Sequence, residues 1–300
     1  MGKTFSKSEH KIIEMLEACK SFKYNNKKYD IKLLGKPSSK DGEPKTDIYI
    51  YAENIVNEND FLEFKISFKQ KNYEFLENKI SAIRAEEIFG SQWKNIITNS
   101  INKIKDKFNE KKLIYKNKKG KTEAGSFTLG WKFELLNVKS GNLSEEIKLS
   151  RNQMYDVFSG TNLDDDKKNA IVCGHRIKNS GIANYILIDD EYSSVEDMLS
   201  KIITMDEYVK NHKKLFFACK ALNYRSFKHK FDGNRPLSVF VNWTIVNNKL
   251  NGKLIFDEPL LHKGNEIYNN LLNCLKEIHV DNTNDINSNN VEGNIVYEEE

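Results

Sequence analysis

Between residues 43 and 73 the chain reads EPKTDIYIYAENIVNENDFLEFKISFKQKNY, and this alternation leaves little choice of conformation. Side chains alternate between the two faces of a strand. Leu62, Phe64, Ile66 and Phe68 therefore share one face, and Glu63, Lys65, Ser67 and Lys69 share the other. The preceding segment behaves alike, with Ile48 and Ile50 on one side and Asp47, Tyr49 and Tyr51 on the opposite one. The Asn- and Glu-rich stretch 52–60 is a suitable hairpin connection. Two such strands need a core against one face, and as neighbours they are expected to bring Asp47 and Glu63 together beside Lys65. Two carboxylates and a lysine at one end of a sheet suit a hard divalent cation, because Mg²⁺ takes oxygen ligands and is held by one or two carboxylates, waters and substrate phosphate. An inert, solvated strand face fits the same alternation, since a Glu-x-Lys triplet is common by chance.

Pro44-Lys-Thr-Asp47, a spacer and Glu63-Phe-Lys65 resemble the PD-(D/E)xK nuclease signature. The phrases GEPKTDI and EFKISFKQ resemble its type II restriction endonuclease members in particular. The resemblance implies an α/β fold with a restriction-endonuclease-like core, a central mixed sheet flanked by helices, and additional strands and helices in the C-terminal half. It also implies hydrolysis of DNA phosphodiester bonds with Mg²⁺, for which Mn²⁺ can substitute. Asp47 and Glu63 would hold the metal and Lys65 would serve the attacking water. Such enzymes act on double-stranded DNA, usually as homodimers whose symmetry mirrors that of the target. One departure is Pro44, which stands three residues before Asp47 instead of next to it. Gln70 and Tyr73 are similar to a glutamine and a tyrosine that some members carry on the following helix, at a shorter spacing here. A structure-selective, repair-type or phage-encoded nuclease on the same core is a competing reading, as is a DNA-binding module without catalysis.

The 300 residues, 39% of them hydrophobic, suffice for one large domain or two ordinary ones. No apolar run approaches the length of a membrane span and the start, MGKTFSKSEH, is polar and basic, so the expected location is cytoplasmic. Cys19, Cys173, Cys219 and Cys274 are scattered without a CxxC, which points to free thiols instead of a zinc site or a disulfide framework. The net charge is +4, but residues 280–300 hold six acids and no Lys or Arg, so the rest of the chain carries +10. That balance favours a polyanionic partner. A compositional bias towards Lys, Asn and Ile accounts for it as well.

Read in order, 8–23 is expected to form a helix with Ser8 as its cap and Ile12, Ile13 and Leu16 on one stripe. Glu9 lies beside that stripe. By resemblance it is a further metal ligand, and it serves equally well as an acid complementing the helix dipole. A strand over 28–34 and a turn over 35–41 lead into Asp47, and helical spacing is expected from Phe75 to Ile88, followed by a second helix from Gln92 to Phe108. Nine lysines fall between Lys103 and Lys121, ending in KNKKGK. Lys116, Lys118, Lys119 and Lys121 there, with Lys69 and Gln70, are candidate DNA contacts, and a solvated linker fits the loop nearly as well. Arg225, Lys228, Lys230 and Arg235 cluster around Tyr224, Phe227 and Phe231, a mixture that suits either nucleic-acid contact or a hairpin edge. Short strands are expected over 127–138, 170–173 and 185–188, with helices begun by Ser150 and by the Ser193-x-x-Glu196 pattern. Residues 236–256 read as a hairpin turning at Asn247-Asn248, and 264–278 as a closing helix. The expected division is 1–121 as the first part of the nuclease core, 122–279 as its remainder with a DNA-recognition region, and 280–300 as an acidic, flexible tail.

Overall fold

A computed structural model describes residues 7–40, 42–78, 80–188, 191–212 and 214–299. The chain forms two compact units, one from residues before 75 together with 149–212, the other from 75–148 together with 214–299. Both units interrupt each other in sequence, so the expected break near residue 121 is replaced by breaks at 74, 148 and 213. The protein is α/β, and its described residues form a mixed sheet, a mainly antiparallel curled sheet and a small two-stranded one, flanked by helices.

The first unit opens with helix α1 (Lys7–Cys19), then strands β1 (Ser21–Tyr24), β2 (Lys27–Gly35), β3 (Ile48–Asn54) and β4 (Phe61–Lys69). Ser8 lies inside α1 and does not cap it. The expected helix through residue 23 stops at Cys19 because Lys20 takes positive φ, and Asn25 and Asn26, at φ 48° and 62°, close a tight hairpin between β1 and β2. Four antiparallel strands run in the order β1-β2-β3-β4, and β4 then pairs in parallel with Tyr185–Ile188, which pairs with Ile203–Thr204. The alternation read from the sequence sets the layers. Ile48, Ile50, Phe64, Ile66 and Phe68 bury one face with Ile12, Ile13 and Leu16 of α1 and with Val195, Met198 and Leu199 of the helix Val195–Ser200. Ser194, not Ser193, caps that helix, its hydroxyl accepting from Asp197 N.

In the second unit the long strands Ser126–Leu136 and Leu215–Arg225 pair antiparallel, and the hairpin Val239–Val246/Lys249–Ile255 joins through Ser126–Leu136. Its turn is Asn247-Asn248, both at positive φ, as expected. The helix expected from Phe75 is a strand, Phe75–Glu77, followed by Ala82–Phe89, because Ser81 accepts from Arg84 N and starts the helix only there. The closing helix, Gly264–Glu277, buries Ile267, Leu271 and Leu275. The residues expected to form a flexible tail pack instead. Val280, Ile286 and Val291 are buried, and Val296–Tyr297 pairs in parallel with Ile114–Tyr115. Few apolar side chains suffice there because strand pairing supplies the remaining hold. No described helix is long and apolar enough to cross a membrane.

Candidate metal centre

The β3–β4 hairpin is fixed at its tip by Asp60. Its carboxylate accepts from Asn54 Nδ2 at 2.9 Å and Lys27 Nζ at 2.8 Å, and its backbone carbonyl accepts from Asn54 N. Lys27 holds the Asp60 carboxyl below its usual range. The resulting register places Ile48 opposite Ile66, Tyr49 opposite Lys65 and Tyr51 opposite Glu63. Asp47, one residue before β3, therefore faces Ser67, and its backbone N–H donates to Ile66 O at 2.8 Å.

This register corrects the expected convergence. Glu63 stands four residues from Ser67 along β4, about 13 Å at ~3.3 Å per residue, so Asp47 and Glu63 do not share a site. Glu63 instead accepts from the Tyr49 hydroxyl at 2.7 Å and pairs with Lys65 at 3.3 Å. Burial, followed by that carboxylate, pushes the Tyr49 hydroxyl upward. Asn184 pins the same part of β4, its side chain accepting from Lys65 N at 2.8 Å and donating to Glu63 O at 3.2 Å. Glu63 and Lys65 thus form a braced ion pair in the middle of the sheet.

At the other end of β4 a different group assembles. Asp47 Oδ2 accepts from Phe68 N at 2.8 Å and lies 3.5 Å from Ser67 Oγ. Lys69, the last residue of β4, lies opposite Ile188. Burial raises the Asp47 carboxyl above its ordinary value, Lys69 opposes that rise, the charge of Glu9 adds to it, and Lys36 again opposes it. Glu9, in the first turn of α1, accepts from Lys36 Nζ at 2.8 Å, with both side chains largely shielded. Asp47, Glu9, Lys36 and Lys69 thus act on one electrostatic centre where β4 leaves β3 for its parallel partner. The acid-x-Lys triplet at the level of Asp47 is Ser67-Phe68-Lys69, with a serine where the motif has an acid.

The loop carrying Asp47 is held from one side by Gly181, whose carbonyl accepts from Lys45 N at 3.0 Å and Thr46 N at 3.2 Å. A Cβ at Gly181 would sit 1.8 Å from Lys167 O and 3.0 Å from Pro44 Cβ. Gly181→Ala must therefore part the Gly181 backbone from that of Lys167, and so disturb the carbonyl on which this loop rests. The expected cost is about 1–3 kcal/mol of stability, measured as a lower urea midpoint at unchanged slope; an unchanged midpoint would show that Gly181 does not seat the loop.

Among the described residues no group of three or more His, Cys, Asp or Glu side chains could hold a metal. Mg²⁺ does not need three, because one or two carboxylates suffice when water and substrate phosphate complete its shell. Asp47 and Glu9, whose charges act on one another, are the two carboxylates that could supply such ligands.

The other candidate residues fall as follows. Gln70 follows β4 and its carbonyl accepts from Tyr73 N in a turn, so neither residue lies on a following helix; the Tyr73 hydroxyl bonds that of Tyr208. Lys116 pairs with Glu298 at 2.7 Å, Lys119 lies over the Tyr297 ring, and Lys118, Lys119 and Lys121 are exposed. Arg225 pairs with Asp232 at 2.6 Å, and Lys228 with Glu123 at 2.6 Å. Lys230 and Arg235 are exposed. Glu123 also lies 3.6 Å from Arg225, so it joins the two basic stretches on one surface of the second unit. The four cysteines are free thiols. Lys36 and Ser67 were not singled out by sequence; hairpin register was the signal that would have found Ser67.

Comparison of the chain with family models, with curated proteins and with solved structures finds no match in any of the three.

Proposed function

We propose that the protein is a metal-dependent endonuclease that hydrolyses DNA phosphodiester bonds, with a restriction-endonuclease-like core in its first unit and a type II restriction-like, site-specific mode of action as a homodimer. The observation that carries this reading is the meeting of Asp47 with Ser67-Phe68-Lys69 at the parting end of two paired strands, beside Glu9 of the first helix. In this reading Asp47 and Glu9 hold Mg²⁺, and Glu63 and Lys65 brace the sheet. When bound, the ion lowers the pKa of a coordinated water and offsets charge on the scissile phosphate. Lys69 orients the attacking water and stabilises charge developing on the phosphate oxygens. Ser67 keeps the Asp47 carboxylate turned towards the strand end. Lys36 compensates Glu9 until a cation arrives.

Incubation of supercoiled plasmid with the protein in Mg²⁺ and in EDTA tests the reading. Discrete linear fragments in Mg²⁺ and intact plasmid in EDTA are expected. Equal cleavage in both, or none in either Mg²⁺ or Mn²⁺ with DNA of varied sequence, would refute it.

A further inference from the structure

The second unit carries a row of lysines on a hairpin. Ile114–Tyr115 pairs with Phe127 and Ser126, and Lys116, Lys118, Lys119 and Lys121 stand on the connection between the two strands. Lys119 and Thr122 exchange backbone hydrogen bonds at 3.0 Å, and Gly125 N donates to Tyr115 O at 2.9 Å, so the connection is shaped by its own hydrogen bonds.

Segment 293–299 lies along the outer edge of this hairpin, and its contacts fall on the lysines. Lys112 Nζ donates to Asn294 O at 2.6 Å, Lys116 pairs with Glu298 at 2.7 Å, and Lys119 Nζ stands 4.2 Å from the centre of the Tyr297 ring. Asn117 Oδ1 accepts from Glu299 N at 3.1 Å. The stretch 280–300 brings acids and no Lys or Arg to this surface. Its carboxylate and carbonyl oxygens occupy lysines that phosphate oxygens would otherwise take.

The hold is weakest where the charges meet. Val280, Ile286 and Val291 are buried and anchor the preceding stretch, whereas every residue from 293 to 299 is partly or fully exposed. The pairing with Ile114–Tyr115 extends over two residues. Exposed ion pairs and cation–ring contacts are individually weak, and segments with little buried apolar surface open more readily than a core. Duplex DNA carries a negative charge about every 1.7 Å of its axis, a denser row of anions than the segment offers.

We infer that segment 293–299 is a competitor of DNA built into the chain. In the free protein it covers Lys112, Lys116 and Lys119, and it leaves when a duplex backbone takes those lysines. That the displacing polyanion is DNA rests on the nuclease reading; the docking of the segment does not.

The test uses the full chain in EDTA, alone and with a short labelled duplex. Hydrogen exchange read by mass spectrometry is expected to show peptides covering 293–299 exchanging at least about threefold faster with the duplex bound, the reverse of the protection that a ligand gives to the surface it covers. By fluorescence anisotropy Glu298→Gln/Glu299→Gln is expected to bind the duplex about threefold or more tightly than the parent, the scale of one exposed ion pair lost by the competitor. Glu17→Gln/Glu58→Gln makes the same change of net charge on exposed acids of the first unit and should give a smaller gain. Unchanged or slower exchange of 293–299 with the duplex bound, equal gains in the two double variants, or no binding of the duplex would overturn the inference. Plasmid cleavage is scored separately in Mg²⁺. Cleavage with unchanged exchange would retire the inference alone, and faster exchange without cleavage would retire the nuclease reading alone.

Discussion

Asp47→Asn is expected to reduce DNA cleavage by about two orders of magnitude or more while DNA binding persists, because the neutral amide holds a dication far more weakly than the carboxylate yet can still accept from Phe68 N. The same substitution has a stability signature. The Asp47 carboxyl is raised above its ordinary 3.8 in the folded protein. Between that value and the raised one the folded state binds more protons than the unfolded state. The metal-free protein therefore loses stability as pH rises through this window. Asp47→Asn removes that contribution and should make the metal-free protein more stable at neutral pH. It should also abolish the rise in Tm that Mg²⁺ gives the parent by binding the folded state. Thermal melts with and without Mg²⁺ check both points. A parent-like Mg²⁺ response in the variant would remove Asp47 from the metal site.

The second large effect separates two lysines on one face of β4. Lys69 acts on Asp47, whereas Lys65, about 13 Å from Lys69 along the strand at ~3.3 Å per residue, is paired with Glu63. Lys69→Met is expected to slow the chemical step by roughly two orders of magnitude or more, the range for losing a general base or electrostatic stabiliser. Lys65→Met should leave that step nearly intact and lower stability through the unpaired Glu63. Single-turnover cleavage reads chemistry apart from product release. The reverse pattern, with Lys65→Met inactive and Lys69→Met active, would return the centre to the Glu63 end of the strand.

Much of the first unit is legible in the alternation of residues 47–69, because a period of two fixes which side chains enter the core. Ile48, Ile50, Phe64, Ile66 and Phe68 do so. The face shared by Asp47, Glu63, Lys65 and Lys69 was legible for the same reason. Their grouping along that face was not, since alternation says nothing of register. Register came from the tip, where Asp60 gathers Asn54 and Lys27. In an antiparallel hairpin the residue that opens the first strand meets the residues that end the second, so Asp47 belongs with Ser67 and Lys69. The Glu63-Phe-Lys65 triplet drew attention because it matches a familiar spelling, whereas Ser67-Phe68-Lys69 matches the place. Asn25-Asn26 carries the same turn chemistry as Asn247-Asn248, but the helical run before it masked β1. The interleaving of the two units was illegible because the pairing of β4 with Tyr185–Ile188 joins residues over a hundred positions apart, and no local pattern records such a partner.

The location of the metal centre can be measured without reference to activity. Fe²⁺, which occupies oxygen sites of this type, generates hydroxyl radicals when supplied with ascorbate and peroxide, and these cut the backbone beside the bound ion. Mass spectrometry of the fragments is expected to place cuts near Glu9, Asp47 and residues 67–69, suppressed by excess Mg²⁺ and absent in Asp47→Asn. Mg²⁺-suppressible cuts centred on Tyr51 and Glu63, with none at Asp47, would contradict the assignment.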